Sequence, residues 1–220
     1  MSRTLETARK RFTAKVYDQE RSLSPEEWAE VLEILRLAPS SVTYQPVQNF
    51  TADTPEALDR IAACVADFNR ERVTKAGHAI VCAVPFGPEE EHFKAVLSKE
   101  IADGRYAGKE NQAGLDAGRR HFAELNALTP ADFYERASKQ AYLAMGYLLF
   151  ALGDMGIDAT IMEGADFKAL DRELGLREKG LASVLVLSVG RHDEERDRNA
   201  RKPKSRLPMD ALFQRIAPRP

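Results

Sequence analysis

A chain of 220 residues with 44% hydrophobic and 30% charged side chains has the composition of an ordinary soluble globule, long enough to bury a core without disulfide or metal staples. Its formal net charge of -2 excludes a global attraction to nucleic acid or anionic lipid, so any anion site must be a local cluster of cations. The two cysteines, Cys64 and Cys82, lack C-x-x-C or Cys/His ligand spacing, which excludes structural zinc and leaves two buried free thiols.

The N-terminal stretch mixes charges with short apolar steps, unlike a secretory signal, and no apolar run approaches the ~20 residues that cross a bilayer. A cytoplasmic protein is expected. The first element is a polar helix over 4–11. A clearer helix follows at Ser24-Pro25-Glu26-Glu27, with an N-cap, a proline at the first helical position and a glutamate three residues after the cap. Trp28, Val31, Leu32 and Leu35 then share one face, and Ala38-Pro39-Ser40-Ser41 stops the helix. A short strand is predicted at 50–53 and an amphipathic helix at 55–65. Residues 79–84 form a continuous apolar run, the pattern of a strand buried on both faces.

Residues 88–122 are charged and glycine-punctuated, and read as a partly helical, largely exposed excursion. The strongest helix begins at Thr129-Pro130 and runs to Met155, apolar on most sides and interleaved with small residues. It is predicted to be central, at a core or a subunit interface. Strands at 156–162 and 181–190 flank a short helix at 165–174, and after Gly190 the apolar periodicity is lost. The whole is expected to form a single domain, 1–220, of α+β or α/β class.

Three separated segments carry cations beside small or turn-forming residues: 11–15, 69–72 and 202–206. If these segments are extended, Arg11, Thr13 and Lys15 point one way, as do Lys204 and Arg206, and two such faces would grip a phosphate. Solvated surface charge is the competing reading of each segment. The four histidines are scattered and read as surface or strand-edge residues. No G-x-S-x-G, H-E-x-x-H, G-x-G-x-x-G or P-loop occurs, and no carboxylate pair stands out. What remains is a site whose chemistry comes from a bound cofactor.

Arg11-x-Thr13-x-Lys15, Ala38-Pro39-Ser40-Ser41 with Gln45-Pro46, Phe68-Asn69, Glu163-Gly164 and Pro203-Lys204-Ser205-Arg206-Leu207-Pro208 occur in the order and spacing of FMN-dependent nitroreductases. Residues 103–107 and 118–122 extend the match over nearly the whole chain. The sequence resembles this family, most closely its oxygen-insensitive NAD(P)H nitroreductase and dihydropteridine reductase members. The resemblance implies an α+β nitroreductase-like fold with a central mixed sheet, an intertwined homodimer, and a C-terminal arm, 191–220, that crosses to the partner. It implies FMN as cofactor, NAD(P)H as electron donor and small-molecule electron acceptors, such as nitroaromatics, quinones, flavins or dihydropteridines, in ping-pong two-electron turnover.

Carried over by position, Arg11, Thr13, Lys204 and Arg206 would hold the phosphate and ribityl chain, with Phe12 beside them. Lys15, Asn69 and Arg72 would face the pyrimidine edge of the flavin. Met162, Glu163 and Gly164 would approach the ring near its reactive nitrogen, with Lys15 and Glu163 in the catalytic roles. Pro39, Ser40, Ser41 and Thr43 would come from the other subunit. Val42, Phe68, Arg105 and Phe122 would meet the substrates, Phe122 covering the open face and Arg105 reaching the nicotinamide nucleotide. An ammonium fixed at Lys15 would stabilise negative charge on the reduced ring. Phe12, Ala14, Arg72, Val42, Thr43, Tyr44 and Val47 depart from the common pattern, and these departures bear on acceptor preference. A specialised dehalogenase-type member with 88–122 as its lid, and a non-enzymatic dimeric flavin-binding protein, are the competing readings.

Overall fold

The two most apolar runs of the sequence lie side by side at the centre of a four-stranded sheet, because only central strands bury both faces. The computed structural model describes residues 1–106, 112–125 and 127–217. Ala107, which ends the 103–107 match, and the last three residues of the expected arm lie outside the described residues. In chain order the elements are α1 (Arg3–Lys10), α2 (Pro25–Arg36), β1 (Gln48–Ala52), α3 (Pro55–Ala62), α4 (Asp67–Thr74), β2 (His78–Pro85), α5 (Glu90–Ala102) and α6 (Gln112–Glu124). There follow α7 (Pro130–Met155), β3 (Asp158–Met162), α8 (Phe167–Leu174), β4 (Leu181–Gly190) and α9 (Met209–Leu212).

The strand order is β1-β2-β4-β3, and each named pair is antiparallel. Among the described residues the parallel component is a single bridge, Thr13 to Ala159, where the N-terminal segment joins the outer edge of β3. Alternation along β2 splits its side chains between two cores. Ile80, Cys82 and Val84 pack with α2 and α7, whereas Ala79 and Val81 pack with α3, α4 and α8. The result is an α+β sheet with helices on both faces. Both cysteines are buried and free.

The predicted caps form. Ser24 and Glu27 make a reciprocal capping box at α2, and Trp28, Val31 and Leu35 bury one face, each aliphatic side chain contributing roughly 2 kcal/mol. Thr129 and Asp132 do the same at α7, whose 26 residues end on Gly156 at φ 69, the left-handed cap that glycine adopts without strain. This helix buries Ala137, Ala141, Met145, Leu148 and Leu152, but leaves Tyr142, Leu143, Tyr147 and Phe150 exposed on its other side. A single chain therefore covers one face of it.

Three expectations need correction. Residues 69–72 are not extended but form the middle of α4, which sets Asn69 and Arg72 one turn apart. The excursion is more anchored than its charge suggests: Phe93 joins the core, as does Ala123 just beyond its end, and Glu100 and Arg119 form a buried ion pair. His78 is buried against Trp28, with ring centroids 4.5 Å apart, because it opens a central strand.

Candidate functional site

Lys204 reaches back across the molecule to the end of α1, where its ammonium donates to the carbonyls of Ala8 and Arg11. A cation suits a helix C-terminus, where carbonyls lack intrahelical partners. It also fixes Lys204 beside Arg11 and Arg206. The Arg11 side chain lies along α7 at Gly153, where a Cβ would stand 3.0 Å from both its Cβ and Cγ. Burial first, then the neighbouring Arg206, holds the Arg11 guanidinium below its ordinary value. Lys204 is lowered by burial and then by Arg11 and Arg206. Among the described residues none of the three forms an ion pair. Gathered cations without a carboxylate are costly unless an anion joins them, which is the electrostatic signature of a phosphate site.

Lys15 sits next along the same segment. Burial, then Arg72, lowers its ammonium, and Asp197 acts weakly in the opposite sense. Asp197 is fully buried and accepts from the backbone N–H of Lys15 at 2.7 Å. Asn199 donates to the Thr13 carbonyl at 2.7 Å, and the Asp193 N–H donates to Val16. The polar stretch after β4 thus clasps the 12–16 segment from outside, while Ala14 bonds to Ala159 and Thr160 from within. Sequence reasoning missed Asp197 and Asn199, since their partners lie some 180 positions away and leave no periodic trace.

Across from Lys15, the Arg72 guanidinium donates to Asn69 Oδ1 at 2.6 Å, and Asn69 Nδ2 donates to the Gly164 carbonyl at 3.1 Å. Asn69 is 3% exposed, whereas Phe68 beside it is 68% exposed, with Arg72 lying 5.5 Å from its ring centroid. Gly164 permits this closeness, because a Cβ there would stand 3.0 Å from Asn69 Nδ2. Met162 is buried at the end of β3, and the exposed Glu163 accepts from the Tyr142 hydroxyl at 2.6 Å. Burial and that carboxylate push the Tyr142 phenol upward, so it stays a donor.

The structure thus gathers Arg11, Lys204 and Arg206 into one group, and Lys15, Phe68, Asn69, Arg72 and Gly164 into another, with Thr13 on the segment between and Glu163 beside Gly164. Pro39, Ser40, Ser41, Val42 and Thr43 form no hydrogen bond or ion pair with either group among the described residues. They belong to a turn in which Val42, Thr43 and Gln45 take φ values of 49, 56 and 54. Helices hold this turn: Gln140 of α7 accepts from the Ser41 N–H at 2.8 Å, and Arg119 of α6 donates to the Val42 carbonyl at 3.1 Å. Arg105 pairs with Glu100 and shares a groove with Thr43, Gln45 and His92, away from the cation groups. Phe122 is exposed on α6, its ring edge-on to His121. Phe12 packs edge-on against His192, 5.0 Å between centroids.

Among the described residues no cluster of histidine, cysteine or carboxylate could hold a metal, and no helix is long and apolar enough to cross a membrane. Comparison with known proteins matches residues 8–191 to the nitroreductase family. An oxygen-insensitive NAD(P)H nitroreductase of Salmonella typhimurium is 36% identical over 212 residues, covering 95% of this chain and 97% of that protein. The major NAD(P)H-flavin oxidoreductase of Aliivibrio fischeri is 33% identical over 206 residues, covering 92% and 94%. A nitroreductase of Exiguobacterium sibiricum, solved in complex with FMN, superposes with a TM-score of 0.81 at 20% identity and 98% coverage of both chains. With the cation groups, the clasped N-terminal segment and the sheet now placed, the chain belongs to the nitroreductase family.

Proposed function

We propose that the protein is an FMN-dependent NAD(P)H oxidoreductase that works as a homodimer and reduces small nitroaromatics and quinones by two electrons, with flavins and dihydropteridines as further acceptors. The observation that carries this reading is the convergence of Arg11, Lys204 and Arg206, two of them with depressed affinity for their protons and none with a carboxylate partner among the described residues. Such a group fits a phosphate monoester. Lys15 with Arg72, next to it, fits the electron-rich edge of a ring that gains negative charge. Bound there, FMN would supply hydride acceptance from NAD(P)H and electron delivery to the second substrate.

The chain's own groups supply the rest. The Lys15 ammonium, held by Asp197 through its backbone, presents a positive charge that need not reorganise during turnover. Gly164 keeps the backbone close, and Asn69 orients Arg72 towards Lys15. Donor and acceptor would use the same open side in turn, giving ping-pong kinetics.

Dimerisation is supported by three surfaces that one chain leaves uncovered. These are the apolar outer face of α7, the unpaired edge of β1, and the segment 205–217, exposed throughout and carrying Leu207, Met209, Leu212, Phe213 and Ile216. Residues 191–204 are tied to their own chain, so the stretch free to reach a partner begins near 205. In such a dimer the turn carrying Ser40, Ser41 and Thr43 would complete the partner's site. The two free, buried thiols suit a cytoplasmic setting.

The test is spectroscopic. Purified or FMN-reconstituted protein is expected to be yellow and to bleach on anaerobic addition of NADH or NADPH, then recover colour with a quinone. A protein that neither retains nor takes up FMN would falsify the reading.

A further inference from the structure

Val42 is a β-branched residue in the left-handed region, at φ 49 and ψ 26, with Thr43 and Gln45 at similar φ. Such a conformation is an outlier for valine and persists only where its surroundings over-determine it. The determinants are on α5, α6 and α7. Gln140 accepts from Ser41, the His92 ring bonds to the Tyr44 carbonyl at 2.6 Å, and Arg119 Nε donates to the Val42 carbonyl itself.

Arg119 differs from the other two in being charged and 4% exposed. Its Nη2 pairs with the Glu100 carboxylate, and its Nη1 lies 3.4 Å from Asp116. Glu100, equally sequestered, also accepts from the Tyr106 hydroxyl at 2.7 Å and lies 3.5 Å from Arg105. A guanidinium so placed has a fixed direction for each donor, and withdrawing it would leave a buried carboxylate with only the exposed Arg105 as counter-charge. The carbonyl it fixes belongs to a β-branched residue held at positive φ, and Thr43 and Gln45 of that turn line the groove that also holds His92 and Arg105.

We infer that Arg119 is a positioning residue for acceptor preference: by holding the Val42 carbonyl it keeps the 41–45 turn in its left-handed shape, and through that turn the excursion helices set which acceptors fit. This rests on the flavin oxidoreductase reading. Direct contact of Arg119 with FMN or substrate is no part of it.

The test uses the full-length dimer carrying Glu100→Gln with Arg119→Met, which avoids stranding the carboxylate, and separately Arg119→Lys, which keeps a cation but not the Nε geometry. Hydrogen exchange is measured on the apoprotein. The Thr43 and Tyr44 amides, which bond to Ser40 and Ser41, are expected to exchange about tenfold faster, with β4 amides unchanged. In FMN-loaded protein, the rate of flavin bleaching by NADH is expected to stay within twofold, while the ratio of KM for menadione to KM for nitrobenzoate shifts about fivefold. Placing Val42→Gly beneath either variant is expected to reduce both effects, since glycine takes the left-handed conformation at 42 without strain. Unchanged exchange at Thr43 and Tyr44, or a KM ratio that moves equally with and without Val42→Gly, overturns the inference while the protein remains a bleachable flavoprotein. A wild-type protein that stays colourless after FMN reconstitution overturns the underlying reading instead.

Discussion

The Asn69 side-chain amide donates to the Gly164 carbonyl at 3.1 Å, joining the start of α4 to the turn that leaves β3. Its other end accepts from Arg72, so one buried amide aligns a backbone and a cation at once. Asn69→Ala is therefore expected to weaken FMN binding about tenfold, in line with loss of a hydrogen bond worth roughly 1 kcal/mol and misplacement of Arg72. Fluorescence titration of apoprotein with FMN checks this. Unaltered affinity would remove Asn69 from the site.

Lys15→Ala is expected to slow flavin reduction by NADH about a hundredfold, roughly the effect of deleting one preorganised charge donor, while FMN affinity falls much less. Burial and Arg72 lower the Lys15 ammonium below its ordinary 10.5, so its charge fades as pH rises through a value below that of free lysine. In the wild type the reduction rate should decline with that alkaline limb, and Lys15→Ala should flatten it. Stopped-flow bleaching across the alkaline range measures both effects.

His78 predicts acid sensitivity. Burial holds its imidazole below the ordinary 6.5, with Asp53 opposing weakly. The unfolded chain then binds more protons than the folded one just below pH 6.5, so stability is intact above that pH and falls as pH drops towards the folded value. Urea midpoints at pH 7.5 and 5.5 should differ in the wild type, and the difference should shrink in His78→Phe. An equal pH response in both proteins would assign the sensitivity elsewhere.

At Gly190, where β4 ends, an added Cβ would lie 2.1 Å from the Ala76 carbonyl oxygen. Backbone cannot swing aside as a flexible side chain can. Gly190→Ala is expected to cost about 3 kcal/mol, at the upper end of ordinary overpacking, and a thermal melt would register it. Gly87→Ala, outside any helix and with open space around its Cβ, is the control and should leave the melt unchanged.

Phe213→Asp combined with Met209→Asp places charge on the exposed apolar terminal segment, where the two residues are 66% and 72% exposed in one chain. The pair is expected to shift the protein from dimer to monomer in analytical ultracentrifugation. A dimer of undiminished affinity would show that this segment is not what holds two copies together.

The sheet and its capped helices could be read from the sequence because their signals are local. Ser24 to Glu27 forms one capping box, 181–190 is one apolar strand, and Thr129-Pro130 starts one helix. The alternation of Arg11 with Lys15 and of Lys204 with Arg206 is visible in the sequence, whereas the approach of Arg11 to Lys204 and Arg206 is seen only in the fold. Asp197 and the Glu100–Arg119 pair leave no such mark, since a buried charge is recognised by its partner and the partners lie far away along the chain. The helical state of 69–72 was missed for another reason: α4 is polar and short, with only Asn69 and Val73 buried, so no stripe marks it.

Thr13 pairs with Ala159, Lys15 hangs from Asp197, and Lys204 closes on Ala8 and Arg11. Opposite ends of the polypeptide are thus stitched together beside the edge of β3. A nascent chain still on the ribosome has the first basic residues but not the last, so it can present no finished cradle. A chain cut short before Asp193 would lose the ties to Asp193, Asp197 and Asn199, and its 12–16 segment would rest on Ala159 and Thr160 alone.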